Sequence, residues 1–400
     1  MSTTETSVAV VGAGPAGLML ANLLQRRGVP TVVVERYTRD QVLTRARAGL
    51  LERRTVELLD RLGLSDRLRA EGTVHHGCEF RSNGDSFFLD YSAHYGGRPQ
   101  WVFPQQEVVK DLLEAYEKGG GDVRFDTAAT AVRWSGDRAE VDCADGTALR
   151  AEFVAGGDGQ HGATRASVPD EAVTEHAMQH EFRWLTLLAS APPSAEHTVY
   201  AQHERGFAGH LLRSAEVTRF HLQVPFADTV DDWPDERIWH ELRQRLAKPG
   251  WTLHEGEIFS KNMLEMQSRV TAPMRHGRAF LLGDAAHIIT PSGGKGMNLA
   301  IADAFELDRS LAQHARTGDE QHLDRYSQRR LPDIWKAQEF SHQLIHMMHT
   351  YEPGSPDAAF RQQLQQSRLW QLRHSQTYAR YFAENYVGPP LGWPWEDDAD

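Results

Sequence analysis

The sequence predicts an α/β fold: a parallel sheet flanked by helices, interrupted by an antiparallel sheet and finished by further helices. Three observations carry this. Residues 8–36 read as strand, glycine turn, helix and strand; residues 178–275 change to long strand patterns around one helix; helical periodicity dominates after about Gly296. At 400 residues the chain exceeds one comfortable core, so packed domains are expected. The expected divisions are a first segment at 1–177 that lends some pocket strands, an inserted sheet at 178–275, a second segment of the first domain at 276–340, and a helical extension with an acidic tail at 341–400.

The apolar run 8–11 breaks into Gly12-x-Gly14-x-x-Gly17, with Ala16 inside the turn, and a second apolar run at 31–34 ends in Glu35. Gly12 suits a tight strand-to-helix turn, Gly14 a close approach by pyrophosphate, and Gly17 close packing of helix on sheet. The helix N-terminus offers free N–H groups and partial positive charge. Glu35 stands where a ribose diol would donate to it. Together these predict that the chain binds an adenine dinucleotide.

Residues 45–72 then read as helix, with leucines at 58, 59, 62 and 68 at helical spacing. Short strands are predicted at 78–81 and 86–89, and a helix at 107–118 stopped by Gly119, Gly120 and Gly121. Strands follow to about 159, split by turns at 135–137 and 145–146. The inserted region carries strands at 182–188, 198–202 and 219–224 and a helix at 235–246; residues 279–283 return to a buried strand.

Bulk properties exclude several classes. The net charge is −12 and basic residues are dispersed, unlike a nucleic-acid surface. Apolar runs are strand-length, so no membrane span is expected, and the N-terminus lacks a secretory pattern. Cys78 and Cys143 are the only cysteines, which suits a reduced, cytoplasmic setting and gives no thiolate metal site. His342, His346 and His349 share a helical spacing, but no carboxylate or cysteine completes a set, and no metal is expected. No Gly-x-Ser-x-Gly elbow supports a hydrolase.

Two more strand-ending turns carry carboxylates: 154–159, with Asp158 and Gly159, and 280–287, with Gly283 and Asp284, leading into Pro291-Ser-Gly-Gly-Lys-Gly-Met-Asn298. With these three motifs in order, the chain resembles the group A flavoprotein monooxygenases, most closely the 4-hydroxybenzoate 3-monooxygenase type. The resemblance runs from Val8 to about Gly388. It includes the stretches 45–49, 158–165, 200–207 and 383–388, of which the last two are not flavin motifs.

The resemblance implies a Rossmann-like FAD-binding domain with an inserted antiparallel substrate domain, and a homodimer. It also implies a reaction in two halves. NADPH or NADH reduces FAD, and reduced FAD then takes O2 to a C4a-hydroperoxide that attacks an electron-rich ring. The phenol is activated by losing its proton to a hydrogen-bonded tyrosine pair and a histidine, matched here by Tyr200, Tyr386 and His75. Pro291 and Lys295 complete the matched catalytic set, Lys295 as positive charge near the flavin. Arg47, Gln105, Asp158, Gly159, Gly283, Asp284, Gly296, Met297 and Asn298 match FAD contacts, and Arg45 the meeting of flavin and pyridine nucleotide. Arg36, His161 and Arg165 match pyridine-nucleotide positions, although Arg36 also reads as a surface ion-pairing residue. Tyr37 and Gln41 depart from the pattern of NADPH-specific members, so both nucleotides stay open.

The carboxylate end of the pocket departs further. Arg213 and Arg219 match, but Leu211 replaces a helping serine and His221 a helping tyrosine. Gly209 and Gly294 stand where larger residues are found. Arginine alone still grips a carboxylate, yet each lost neutral hydrogen bond costs about 1 kcal/mol. The expectation is a changed substrate, with the glycines making room: an aromatic or pseudo-aromatic carboxylate, hydroxybenzoate-like or of the tropone or tropolone type, with decarboxylation if the carboxylate-bearing carbon is attacked. The alternatives are a true 4-hydroxybenzoate 3-monooxygenase, a non-oxygenating FAD reductase or oxidase, and a non-catalytic flavin-binding protein.

Overall fold

The structure is a computed structural model that describes residues 3–388, apart from Ala46, Ala48, Tyr95, Arg98, Gly136 and residues 351–355. The predicted tail at 393–400 lies outside the described residues.

The first sheet grows outward from the glycine motif. Strand Thr3–Val11 pairs in parallel with Thr31–Val34 and with Ala148–Gly156, and Asp122–Arg124 and Ala279–Leu281 extend it at either end. Both faces are covered, which is why 8–11 and 31–34 are continuous apolar runs. Helix Pro15–Arg26 opens with proline at its first position, where no N–H is needed. It buries Leu18, Met19, Leu20 and Leu23 against the sheet and the long helix Gly296–Thr317.

The second sheet has the strand order His287–Ile288, Glu257–Ala272, Thr174–Ser190, Thr218–Pro225, Ala208–Leu212, Thr198–Gln202, Gly77–Ser82 and Asp85–Asp90. It therefore reaches beyond 178–275 on both sides. Its pairing is antiparallel except where Thr198–Gln202 runs parallel to Gly77–Ser82. That junction covers what would be an exposed edge beside Tyr200. Helix Asp235–Arg245 packs on this sheet through Ile238, Trp239 and Leu242.

Two expectations need correction. The stretch 45–72 is not one helix: Leu50–Leu51 is a strand, followed by helices Arg53–Arg61 and Asp66–Glu71. A Cβ on Gly49 would lie 1.8 Å from the Phe103 carbonyl oxygen, so the chain there lies flat on Phe103, and Gly63 at φ +61 ends the first helix. The boundary at 340 also falls inside a single helix, Tyr326–Met348. That helix packs with Ala358–His374 and Gln376–Val387 around Phe340, Leu344, Leu372, Phe382 and Tyr386, a core shared with Tyr200 and Phe80 of the second sheet.

Candidate functional site

At the first strand end, Gly12 adopts φ +104, and a Cβ there would sit 2.5 Å from the Gly157 carbonyl oxygen. A Cβ on Gly17 would lie 2.0 Å from the Gly12 carbonyl oxygen, whereas one on Gly14 would meet nothing within 4 Å. Two glycines thus serve packing and the third faces open space. Ala16 is buried beside them, and no side chain caps the helix that follows. Glu35 is buried; its Oε2 accepts from Ala13 N at 2.7 Å and its Oε1 from Tyr37 N at 3.0 Å. The carboxylate braces the turn and keeps lone pairs for a further donor.

Asp158 packs behind the same turn. Its Oδ2 accepts from Thr164 N at 2.9 Å, its Oδ1 is buried without a partner, and burial raises its pKa. Gly159 follows at φ +83. An orphaned carboxylate oxygen beside an uncapped helix and an open glycine face fits a dinucleotide with hydroxyl donors.

The other strand end is organised by Asp303, which is fully buried and accepts from Gly283 N at 2.9 Å, His287 Nε2 at 2.6 Å and Arg330 Nε at 2.8 Å. Asp284 stays exposed and ion-pairs with Arg47 at 3.3 Å. Pro291–Gly293 forms a short 3-10 turn, Gly294 takes φ +63, and helix Gly296–Thr317 starts without a side-chain cap. Its first N–H groups, on Gly296, Met297 and Asn298, are therefore free for a ligand. The Asn298 side chain is used inside the protein: it donates to Leu50 O and Gly294 O and accepts from Glu52 N and Thr55 Oγ1. Gln105 begins its helix half-buried.

Lys295 is buried, its Nζ 2.7 Å from Glu52 Oε1 and 2.7 Å from the Tyr386 carbonyl oxygen. Burial lowers its pKa, opposed by Glu52. Arg36 and Arg45 are exposed and flank the Tyr37 ring, at 4.7 and 5.7 Å. His161 is exposed, while Arg165 lies 3.6 Å from Asp170 and 3.7 Å from Glu175.

Tyr200 and Tyr386 meet hydroxyl to hydroxyl at 2.7 Å, and Tyr200 also donates to Ser292 O at 3.3 Å. Burial raises both phenol pKa values, so both stay neutral near pH 7. His75 Nε2 lies 3.2 Å from Thr198 Oγ1, and its ring centre is 6.3 Å from that of Tyr386. Burial and then His197 lower its pKa to about 4, so it is a neutral base.

Arg213 donates to Arg47 O at 3.2 Å, and burial lowers its pKa. Arg219, paired across the strands with Leu211, is buried with an unpartnered Nε; burial and then Arg213 lower its pKa to about 10. His221 bonds Thr186 Oγ1 at 3.0 Å and packs 4.6 Å from Trp184; burial and then Arg219 bring its pKa to about 3. These cations and the neutral imidazole fit an anionic ligand. The room expected from the glycines is taken up: a Cβ on Gly294 would meet Leu50 Cδ2 at 2.8 Å, and one on Gly209 would meet Phe207 Cζ at 3.2 Å and Leu211 Cδ1 at 3.3 Å.

Sequence reasoning missed Glu52, Asp303, Gln100, Tyr91 and Thr198. Only Thr198 carried a signal, because it lies two residues before Tyr200 on one strand and so shares its face. Tyr91 stacks 4.8 Å from Tyr386 and donates to Cys78 Sγ. Among the described residues no group of three potential ligands could hold a metal; His342 and His346 bond each other at 2.6 Å, and His349 accepts from Trp184.

The FAD binding domain family matches residues 5–341. The chain is 38% identical over 98% of its length to p-hydroxybenzoate hydroxylase of Acinetobacter baylyi, covering 97% of that protein. It is 31% identical over 87% of its length to a rifampicin monooxygenase of Streptomyces venezuelae, covering 72% of it. Among solved structures, p-nitrophenol 4-monooxygenase from Pseudomonas putida superposes with a TM-score of 0.80 at 22% identity, over 98% of this chain and 100% of that one. Aklavinone-11 hydroxylase, solved with FAD and aklavinone, gives 0.73 at 23% identity, over 87% and 70%. These two share the fold.

Proposed function

Since this chain belongs to the FAD binding domain family and is a group A flavoprotein aromatic monooxygenase close to p-hydroxybenzoate hydroxylase, we propose that it hydroxylates an aromatic or pseudo-aromatic carboxylate through the Tyr200–Tyr386 pair. It uses FAD, O2 and a nicotinamide nucleotide. When bound, FAD supplies the hydride acceptance and oxygen activation. Gly12, Gly14, Glu35, Asp158, Asp284 and the N–H groups of 296–298 would hold it.

The observation that most supports the reading is the buried 2.7 Å contact between two phenol hydroxyls. A substrate phenol gives its proton to the Tyr200 oxygen as Tyr200, its hydroxyl turned from the Ser292 carbonyl, passes its own to Tyr386. Because burial keeps both tyrosines neutral, they pass the proton on rather than store charge. His75, neutral near pH 7, is the acceptor at the far end. Loss of that proton makes the ring a stronger nucleophile.

Arg213 grips the substrate carboxylate by parallel N–H bonds. Neutral His221, its Nδ1 engaged by Thr186, occupies the place of the helping tyrosine, and Leu211 offers no hydrogen bond at all. That altered set supports a substrate other than 4-hydroxybenzoate: another hydroxybenzoate or a tropone- or tropolone-type acid, with CO2 lost where the carboxylate-bearing carbon is attacked. Resemblance to the family supports action as a homodimer.

The test is NADH and NADPH oxidation by the FAD-loaded protein across a panel of aromatic and tropolone carboxylates, with product mass recorded. A compound that speeds oxidation and gains one oxygen atom names the substrate class. Tightly coupled turnover of 4-hydroxybenzoate would overturn the changed substrate, and no stimulation by any ligand would point to a non-oxygenating flavin enzyme.

A further inference from the structure

We propose that Gln100 is a positioning residue for the proton relay: its amide fixes His75 in the tautomer protonated on Nδ1 and ties that ring to the backbone of Tyr386. This rests on the relay read above, and it adds the connection between the relay's two ends.

Gln100 is 0% exposed. It pairs with His75 across two antiparallel strands, Thr73–His75 and Gln100–Val102. Its Nε2 donates to the Tyr386 carbonyl oxygen at 2.7 Å. A carbonyl oxygen only accepts, so the atom facing it is the NH2, and the amide oxygen must point elsewhere. That Oε1 is buried with no partner of its own, and so is His75 Nδ1. Gln100 is also close enough for its amide to favour a protonated His75 ring, although in this conformation the two atoms are not hydrogen-bonded. Two orphaned atoms on facing residues, one able only to accept and the other able to donate, complete each other when Nδ1 carries the proton.

The consequence is directional. Once Nδ1–H turns to Gln100, Nε2 is the basic nitrogen, and it faces Thr198 Oγ1 at 3.2 Å. The incoming proton lands on Nε2, on the Thr198 side of the ring. Meanwhile the Tyr386 carbonyl takes two donors, Gln100 and Lys295. The end of helix Gln376–Val387, which carries the second relay hydroxyl, is thereby held to the strand that carries the base. The other titratable groups at His75 are His76, His197, Tyr91 and Tyr386, none of which supplies negative charge at neutral pH.

The test uses the full-length, FAD-loaded protein without substrate, with 15N-labelled histidine rings. His75 signals are identified by their loss in His75→Gln. The wild type is expected to show His75 neutral near pH 7 and protonated on Nδ1. Gln100→Leu is expected to release the tautomer into a mixture. Gln100→Glu keeps an acceptor, so it should preserve Nδ1–H and make the ring hold its second proton about tenfold or more tightly. A merely structural glutamine would not give this opposed pair of outcomes. His75 protonated on Nε2 in the wild type, or a tautomer unchanged in Gln100→Leu, overturns the proposal. Should Gln100→Leu fail to retain FAD, the wild-type tautomer and the Gln100→Glu titration still decide. A parallel Tyr386→Phe assay separates the two readings. If Tyr386→Phe hydroxylates at the wild-type rate, the relay falls, and the NMR result then speaks for the Gln100–His75 bond alone.

Discussion

Lys295 and Glu52 form an ion pair at 2.7 Å, with side chains 3% and 2% exposed, joining the glycine-rich loop to the start of helix Arg53–Arg61. Lys295 was expected to keep positive charge near the flavin, and within the protein that charge is paired with Glu52. Arg54 meets the same carboxylate at 2.7 Å. Burial alone would raise the Glu52 pKa, but Arg54 and Lys295 outweigh it and hold it low.

Removing either partner is therefore unequal. Glu52→Gln takes the carboxylate from buried Lys295 and leaves Arg54 to Asp333 at 3.6 Å, and should cost about 3–5 kcal/mol. Lys295→Met leaves Glu52 still paired to Arg54 and should cost less. Urea unfolding of both variants measures the difference; equal losses would show that Arg54 does not share the carboxylate.

Tyr200→Phe and Tyr386→Phe each remove one hydroxyl of the 2.7 Å pair while keeping the ring. With the panel compound that the wild type hydroxylates, product formation should fall by roughly a hundredfold or more, with FAD content unchanged. The residual rate should climb with pH, because the substrate must then ionise unaided. A wild-type rate in both variants would remove the tyrosines from the chemistry.

Acid should destabilise the fold through buried imidazoles. His75 has its pKa lowered to about 4, and His221 and His349 to about 3, in each case chiefly by burial. An unfolded histidine takes its proton near pH 6.5, so between there and about pH 4 the unfolded chain holds more protons. Stability must fall as pH falls through that window, by up to about 1.4 kcal/mol per pH unit for each group. Urea midpoints measured from pH 7.5 to 5 check the sign; a flat profile would mean these rings take up protons as readily folded as unfolded.

Gly294→Ala is expected to weaken the loop rather than merely narrow a pocket. The residue sits at φ +63, and the added Cβ would press on Leu50. The loss should be about 1–2 kcal/mol, read as a lower melting temperature and weaker FAD retention. In a Leu50→Ala background the 2.8 Å contact goes, but the Cβ of residue 50 stays at 3.1 Å and the backbone strain remains, so only part of the loss should be recovered.

Much of this was legible in the sequence because it is local. The glycine turn needs positions five apart, and the strands at 198–202 and 219–224 announce themselves by pattern. The tyrosine pair was legible only through resemblance, since 186 residues separate its members. Glu52 and Asp303 were not legible: an acid in a helical stretch looks like any solvated acid until a distant cation is folded over it. Gly294 shows the opposite failure. Its small size read as space, when the backbone angle and Leu50 are what demand glycine. The stretch 45–72 misled for a related reason, because leucine spacing cannot reveal that Gly49 must lie flat on Phe103.

Tyr386 is also among the last described residues of the chain, on helix Gln376–Val387, while the glycine turn is among the first. A polypeptide that stopped before that helix would keep the glycine turn, Glu35, Asp158, Asp284 and both pocket arginines, and lack the second hydroxyl. During synthesis, the groups that hold the flavin leave the ribosome before the group that lets a phenol be deprotonated. In chain order, the groups placed to hold the cofactor thus precede the group that completes the hydroxyl pair.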